Sequence, residues 1–551
     1  MLAKKAIFIL SLLLTFTAQI NAQIIKPSSD SLDFGSVNVG DVDSMMINLQ
    51  NSSSTVLNVN NVKFYTIYND FPFSASATSF SIPANGTYQL WIYFEPVHNI
   101  LHNSEVVIQH NANSGSESID LRGQGVFPNP YYNTTQNLEE ESLKVALKSR
   151  LAVGYTQLSY NAARDAMFMT IDNKFQNGQG APSNRLECVY TGYVKNGYTS
   201  RSDAQTTTPQ FNTEHTFPQG FFNQVLPERS DIHHLFPTTN NSNSERGNKP
   251  FGLVSNGTPV TLGGGSFYNN TTFEPRNQQK GRTARAMMYF VIRYQDYQSH
   301  FAPQENLLKN WHDTYPPDSI DRRRNNDIFA VQNNRNPFID YPQLADRITN
   351  FVSNSTKAPV FGIDITQSSI NFGTLVNQLA DTFEYVIVNR GNQDVTFSNF
   401  SLSSTTHLSF SSGFGGSLII EPGDALIIPV IFNSFGNFNL NESLSFNTSL
   451  VGGQSSLTIP IRGNSTLVGL EKSKALNELK VYPNPVEDEL FIDNDHSYEL
   501  EIRLLDASGK EFINLRSSQS QIGIATDELS KGVYFLELIN KREKQLIKLV
   551  K

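Results

Sequence analysis

Apolar residues recur along this chain with two different periods, and the change of period marks where one kind of structure gives way to another. Toward both flanks the period is two. Short runs such as MINLQ and YVIVN alternate apolar and polar residues between turns rich in Asn, Ser and Gly, which predicts antiparallel strands in β-sandwiches. In the middle, 138–151, 161–171, 282–294 and 307–312 carry apolar residues at helical spacing, so a mixed α and β region is expected there. The first residues follow neither pattern. MLAKKAIFILSLLLTFTAQINAQ sets Lys4 and Lys5 before an apolar run and ends with small Ala22 ahead of Gln23, which reads as a cleavable export signal over 1–22. That run falls short of the ~20 residues a membrane span needs, as does every later one.

Two stretches read alike: SLDFGSVNVGDVDSMMINLQNSSS from Ser31 and SINFGTLVNQLADTFEYVIVNRGNQ from Ser369, each about a hundred residues before a closing LRG (121–123) or IRG (461–463). The S-x-x-F-G opening and the R-G close resemble the bacterial choice-of-anchor modules, and the resemblance implies immunoglobulin-like β-sandwiches over 23–126 and 356–465. From about Thr466 a linker bearing Lys and Glu leads into KVYPNPVEDELFID and KGVYFLELINKREKQLIKLVK, strand-like runs opened by Pro483 and Pro485. Tyr482-Pro483-Asn484-Pro485, Gly532-Val533-Tyr534 and the basic last strand are similar to the C-terminal sorting domain of the type IX secretion system, over 466–551. That similarity implies a Bacteroidetes-type bacterium, the type IX machinery as a partner, and delivery outside the cell or onto its surface.

A length of 551 residues suits roughly three to five domains. Cys188 is the only cysteine, so no intrachain disulfide can form; its apolar surroundings predict a buried core residue. The net charge of -9 weighs against binding polyanions over the whole surface. From 130 to 350, however, 22 Lys and Arg stand against 20 Asp and Glu, so the acidity lies in the flanks and the near-neutral middle is the better candidate to meet a polyanion.

Phosphodiester hydrolysis needs a base for water, a cation against the developing charge, and help for the departing 3′ oxygen. In FNTEHTFPQGFF (211–222) Glu214 and His215 are neighbours on an expected strand, where they point to opposite faces unless the chain bends. SDIHHLFPTTNNSNSERGNKPFG (230–252) follows, too polar for a core segment. Together the Glu-His pair, Asp231-x-His233-His234-Leu235 and Asn243-x-x-Arg246-Gly247-Asn248 resemble the bacterial endonuclease I family. FEPRNQQKGRTARAMMYFVIRY from Phe273 and IFAVQNNRNPFIDYPQLAD from Ile328 extend the resemblance over about 130–350.

The resemblance implies a ββα-metal nuclease domain over 127–355. A two-stranded ribbon would present His215 as general base, with Glu214 and Asn243 as ligands of one hard cation, Mg²⁺ or alternatively Ca²⁺ or Mn²⁺. Products would carry 5′ phosphates. Asp231, His233 and His234 are expected to brace this site; a zinc site built from the histidines lacks an H-E-x-x-H helix or clustered cysteines. The transition-state arginine stays open between Arg229, in the loop after the first strand, and Arg246, one turn after Asn243. Arg282, Arg285, Arg322, Arg323, Arg324 and Arg335 are candidate phosphate contacts, and with no base-reading motif in view the substrate stays open between DNA, RNA or both. The rival expectation is a surface adhesin or matrix-binding protein whose middle region is inactive. The fold expected is thus multidomain: an α+β nuclease domain between immunoglobulin-like sandwiches, closed by a small all-β sorting domain.

Overall fold

The computed structural model describes residues 25–65, 71–111, 116–294, 297–376, 379–466, 479–506, 509–540 and 544–551. The export signal read at 1–22 and the linker at 467–478 lie outside them. The chain divides into two compact units: residues 1–371 with 382–431 and 442–461, and residues 372–381 with 432–441 and 462–551.

Two sheets build the N-terminal β module. One runs in the order Ile25–Pro27, Asp43–Asn51, Thr87–Phe94, Phe73–Ala75, and the other Ser31–Asn38, Ser116–Val126, Leu101–His110, Leu57–Tyr65, Phe80–Ile82. Alternation turns Leu90, Ile92 and Phe94 of the first sheet into one core with Val106, Ile108, Ile119 and Leu121 of the second. The strands from Ile363–Ile365 to Ser456–Thr466 repeat both orders strand for strand, so the repeat read in the sequence is a repeat of topology.

The repeated motif residues have physical reasons. In F-G the glycines adopt left-handed backbone, Gly35 at φ 62° and Gly373 at φ 64°, and Gly35 sits where the pairing register shifts between Asp33 and Ser36. In the closing R-G, a Cβ on Gly123 would fall onto the ring of Phe94, so only glycine lets that strand cross the aromatic core.

Between the modules lies a region of mixed α and β structure. The helical spacings correspond to α1 (Glu140–Ala152), α2 (Tyr160–Ala166), α4 (Asn277–Arg293) and α5 (Glu305–Thr314). Residues 167–171, expected to continue the helix before them, form a π-helical turn. Helix α6 (Ser319–Gln332) has a polar sequence that shows no apolar stripe; it starts at a capping box between Asp318 and Asp321. Helix α4 is the axis of the region, buried on nearly every side from Gln279 to Ile292. Gly281 allows its close approach to the chain after α5, since a Cβ there would strike the Tyr315 carbonyl.

Against this helical core lies a two-stranded antiparallel ribbon, β1 (Phe211–His215) with β2 (Leu235–Thr239), in the register Phe211 with Thr239, Thr213 with Pro237 and His215 with Leu235. Helix α3 (Asn240–Arg246) follows without a linker, because the Thr239 side chain accepts from Ser242 N and caps it. Among the described residues no helix is long and apolar enough to cross a membrane.

In the C-terminal unit, residues after the linker form a three-stranded sheet (Lys480–Tyr482, Glu489–Asp493, Gln521–Ala525) and a four-stranded one (Glu511–Ser517, Leu500–Asp506, Val533–Ile539, Lys544–Val550) over a core including Leu490, Ile492, Leu536 and Leu538. Asn484 of the Tyr-Pro-Asn-Pro motif ties its turn to the last strand. Its Nδ2 donates to the Lys548 carbonyl at 2.9 Å, and its Oδ1 accepts from Val550 N at 3.0 Å.

Candidate active site

Strand β1 sends Glu214 to one face of the ribbon and Thr213 and His215 to the other. On the first face, Glu214 Oε1 accepts from Tyr190 Oη at 2.7 Å and lies 3.3 Å from Arg246 Nε. Both members of the ion pair are buried, at 2% and 1% exposure. Arg246 also donates from Nη1 to the Gly247 carbonyl at 2.9 Å and from Nη2 to the Thr216 carbonyl at 2.6 Å. It thus grips the chain on both sides of His215, where the strand ends and bends. Burial raises the Glu214 carboxyl above its ordinary pKa, opposed by Arg246 and by the Tyr190 hydroxyl. Its second oxygen accepts no hydrogen bond from a described residue.

Asn243 lies three positions before Arg246, about one turn away on α3. It is half-buried, and its carboxamide makes no hydrogen bond within the described residues.

On the other face, His215 Nε2 is 3.3 Å from the Arg229 carbonyl. A carbonyl only accepts, so the contact places the proton on Nε2 and leaves the lone pair on Nδ1. Burial drives the imidazole pKa well below 6.5, and His234, Arg229 and Arg164 add to the effect. The ring centre is 5.6 Å from those of both Tyr160 and His234.

Asp231, His233 and His234, expected to brace the site, are buried in a polar hub. Asp231 accepts from Tyr289 Oη at 2.7 Å, Tyr294 Oη at 2.6 Å, Gln332 Nε2 at 2.9 Å and His233 N at 3.1 Å. Burial pushes its carboxyl up, but these donors and the neighbouring imidazoles hold it below its ordinary value. The hub pins α4 and α6 to the turn that leads into β2. His233 Nε2 is 3.1 Å from the Asn334 carbonyl and His234 Nε2 is 2.6 Å from that of Glu228. His215, His233 and His234 each spend Nε2 on a carbonyl, and no group of three or more His, Cys, Asp or Glu able to hold a metal occurs among the described residues.

Four arginines read as phosphate contacts are turned to internal use. Arg282 Nε meets Asp321 at 2.5 Å and Arg285 Nη2 meets the same carboxylate at 2.9 Å; Arg285 is 1% exposed. Arg324 forks onto Asp172 at 2.8 and 3.0 Å, and Arg335 onto Asp340 at 2.5 and 2.7 Å. Arg285 is sealed from any substrate, and the other three already hold carboxylates. Of the two nearby candidates, Arg323 donates to the Asn177 carbonyl at 2.9 Å and Arg322 is exposed. The sequence reading did not single out Tyr190, Tyr160 or Arg164; they come from segments whose local pattern is ordinary core, turn and helix. Cys188 is buried, with its Sγ 3.6 Å from Thr238 Oγ1 and Ser242 Oγ.

Comparison with known proteins bears on the same segments. Residues 139–343 match the family model described as Endonuclease I, and residues 480–551 match the one described as Secretion system C-terminal sorting domain. An extracellular ribonuclease of Bacillus amyloliquefaciens is 30% identical over 236 residues, covering 40% of this chain and 77% of that protein. Its counterpart in Bacillus subtilis (strain 168) gives the same figures. An extracellular deoxyribonuclease of Aeromonas hydrophila is 33% identical over 123 residues, covering 22% of this chain and 52% of that protein. The tail and these relatives make this a secreted or cell-surface protein. With its ribbon and helix in place, the chain belongs to the endonuclease I family and is an endonuclease carrying a type IX sorting tail.

Proposed function

We propose that this endonuclease cuts both DNA and RNA through backbone recognition, with His215 as general base and 5′ phosphates on its products. The observation that carries the reading is the setting of His215. Its Nε2–H is anchored on the Arg229 carbonyl, its burial keeps the ring neutral, and Nδ1 is left free to take a proton from water. Arg229 is the better transition-state arginine, since Arg246 is already engaged by Glu214 and two carbonyls. Arg246 instead favours the ionised form of Glu214 against the burial that raises its carboxyl, and fixes the bend at Thr216.

A hard divalent cation fits the donor set on the Glu214 side. The uncommitted Glu214 oxygen and the Asn243 carboxamide oxygen are of the type such ions prefer, and we assign them as its ligands, with Mg²⁺ the first candidate and Ca²⁺ and Mn²⁺ the alternatives. When bound, the ion supplies charge against the phosphate. We further assign 1–22 to the export signal, 23–126 and 356–465 to immunoglobulin-like modules, 127–355 to the nuclease domain and 466–551 to the linker and sorting domain.

The test is incubation of the purified protein with plasmid DNA and with RNA, with each cation and with chelator. Metal-dependent degradation of both is expected, with ends that polynucleotide kinase labels only after phosphatase treatment. Cleavage undiminished by chelator, or ends labelled without phosphatase, would overturn the metal or the product assignment respectively.

A further inference from the structure

The His215 face of the ribbon carries more positive charge than the reaction scheme above uses. Arg164, from α2, donates from Nε to Thr213 Oγ1 at 3.2 Å, and Thr213 shares the strand face of His215. Its Cζ is 4.9 Å from the ring centre of Tyr160, and the Cζ of Arg229 is 4.2 Å from the same ring. Neither guanidinium forms an ion pair with a carboxylate among the described residues, and the buried Arg229 Nε has no hydrogen-bond acceptor. Asp165, next to Arg164 in sequence, is taken by Arg201 at 2.6 Å.

A cavity of about 450 Å³ in the same region shows the opposite treatment of cations. It is also rich in arginine, yet Arg276 meets Glu187, Arg282 meets Asp321 and Arg324 meets Asp172. Two half-buried guanidiniums gathered on one ring without a carboxylate repel each other and lose hydration, a cost that an incoming dianionic stretch of backbone would relieve. The Tyr160 ring keeps both in place through cation–π contact, and the Nη groups of both are left for oxygen.

We propose that Arg164 and Arg229, spaced by Tyr160, form a two-phosphate subsite beside His215, with Arg229 on the scissile phosphate and Arg164 on its neighbour in the same strand. The proposal rests on the nuclease reading of His215 and extends it to a residue and a substrate position not otherwise assigned. The ligand is the phosphate backbone itself, so the subsite treats DNA and RNA alike and reads no base.

The test uses the full-length protein and a short oligonucleotide. Arg164→Gln is expected to raise KM about tenfold with kcat within about twofold, and to flatten the slope of log affinity against log salt by about one, measured in chelator. Arg164→Lys should restore most of the slope. A substrate with an uncharged methylphosphonate at the neighbouring position should cost the wild type the same factor in KM and make wild type and Arg164→Gln equal. That substrate also tests the proposal if Arg164→Gln folds poorly. A wild type that cleaves normally while Arg164→Gln keeps the wild-type KM and salt slope, or one indifferent to the methylphosphonate, overturns the subsite alone. A wild type inert toward every nucleic acid overturns the nuclease reading, and the subsite with it.

Discussion

The N-terminal β module buries few ionisable side chains, Glu105 and His98, His102 and His110 among them, whereas the nuclease region buries many, gathered in clusters. The module's core is Ile47, Leu49, Leu90, Ile92, Phe94, Val106 and their like, brought inward by plain alternation. The nuclease region has a large apolar core too, but it also buries Glu214, His215, Asp231, His233, His234, Arg246, Arg285 and Asp321. The module's core of apolar side chains is stabilised chiefly by burial and shape. The nuclease region's buried charges each cost desolvation and have to be met by a partner, a cost that the proposed neutral imidazole and hard-oxygen pair would account for. The difference between the two is the difference between a frame and a site.

That contrast breaks first at His215. Its replacement by Ala should lower kcat by about 10³-fold while the melting temperature stays within a few degrees, because the ring's one hydrogen bond is a long contact to a carbonyl. Retained turnover would remove His215 from the mechanism. Arg246→Met comes next. It strands a buried Glu214 and should cost about 3–5 kcal/mol by denaturant unfolding, with activity lost together with stability. In the β module, Leu90→Ala should cost about 3 kcal/mol through an apolar cavity, yet leave kcat unchanged at temperatures where the variant is folded. Should Leu90→Ala lower kcat while folded, the module is more than a frame.

The two regions were also unequally legible. Alternation revealed the strands of the modules, and S-x-x-F-G and R-G marked the left-handed glycine and the ring-crossing glycine before either was visible. In the nuclease region the helical stripes of α1, α4 and α5 were readable, whereas α6 was hidden because the run Arg322–Arg324 and its polar neighbours leave no apolar stripe. Glu214, His215 and Asn243, within thirty residues of one another, stood out through the resemblance to the endonuclease I family. Their partners did not: Tyr190 lies 24 residues before Glu214, and Arg164 lies 49 before Thr213, distances at which no local period carries information. The carboxylate partners of Arg282, Arg285 and Arg324 were hidden for the same reason, since Asp172 is 152 residues from Arg324, whereas Asp340 is only five from Arg335. Pairing of charges is a property of the fold, not of the run.

Acid should act on both regions, since burial also holds His98 and His102 of the N-terminal β module down to about 4. His233, His234 and His300 are each held down to about 4, chiefly by burial. A depressed imidazole favours the folded state above the unfolded value of about 6.5 and loses that contribution as pH falls toward 4, since the unfolded chain then binds protons the folded one refuses. Between pH 7 and 6 each group should cost roughly 0.7 kcal/mol, about 2 kcal/mol together. The protein's two tryptophans divide the readout: Trp311 is buried in the nuclease region and Trp91 is on the module's surface. In a Trp91→Phe variant, Trp311 fluorescence should report a lower melting temperature at pH 6 than at pH 7. An unchanged midpoint would mean that these imidazoles accept protons without opening the fold.

The smallest effect probes the partner most easily removed. Tyr190→Phe deletes a single hydroxyl that donates to Glu214 at 2.7 Å and leaves the ring packed at 4.6 Å from Phe273. A hydrogen bond to a buried carboxylate contributes about 1.5 kcal/mol, so the loss of stability should be near that figure and well below that of Arg246→Met. Function should respond differently. Without the Tyr190 hydroxyl, Oε1 keeps only Arg246 as a partner and the carboxylate is freer to turn, so the cation concentration needed for half-maximal cleavage should rise severalfold while kcat at saturating cation is kept. A Tyr190→Phe protein with wild-type cation dependence would show that Arg246 alone fixes the carboxylate, and would shift the orienting role from the loop before β1 to helix α3.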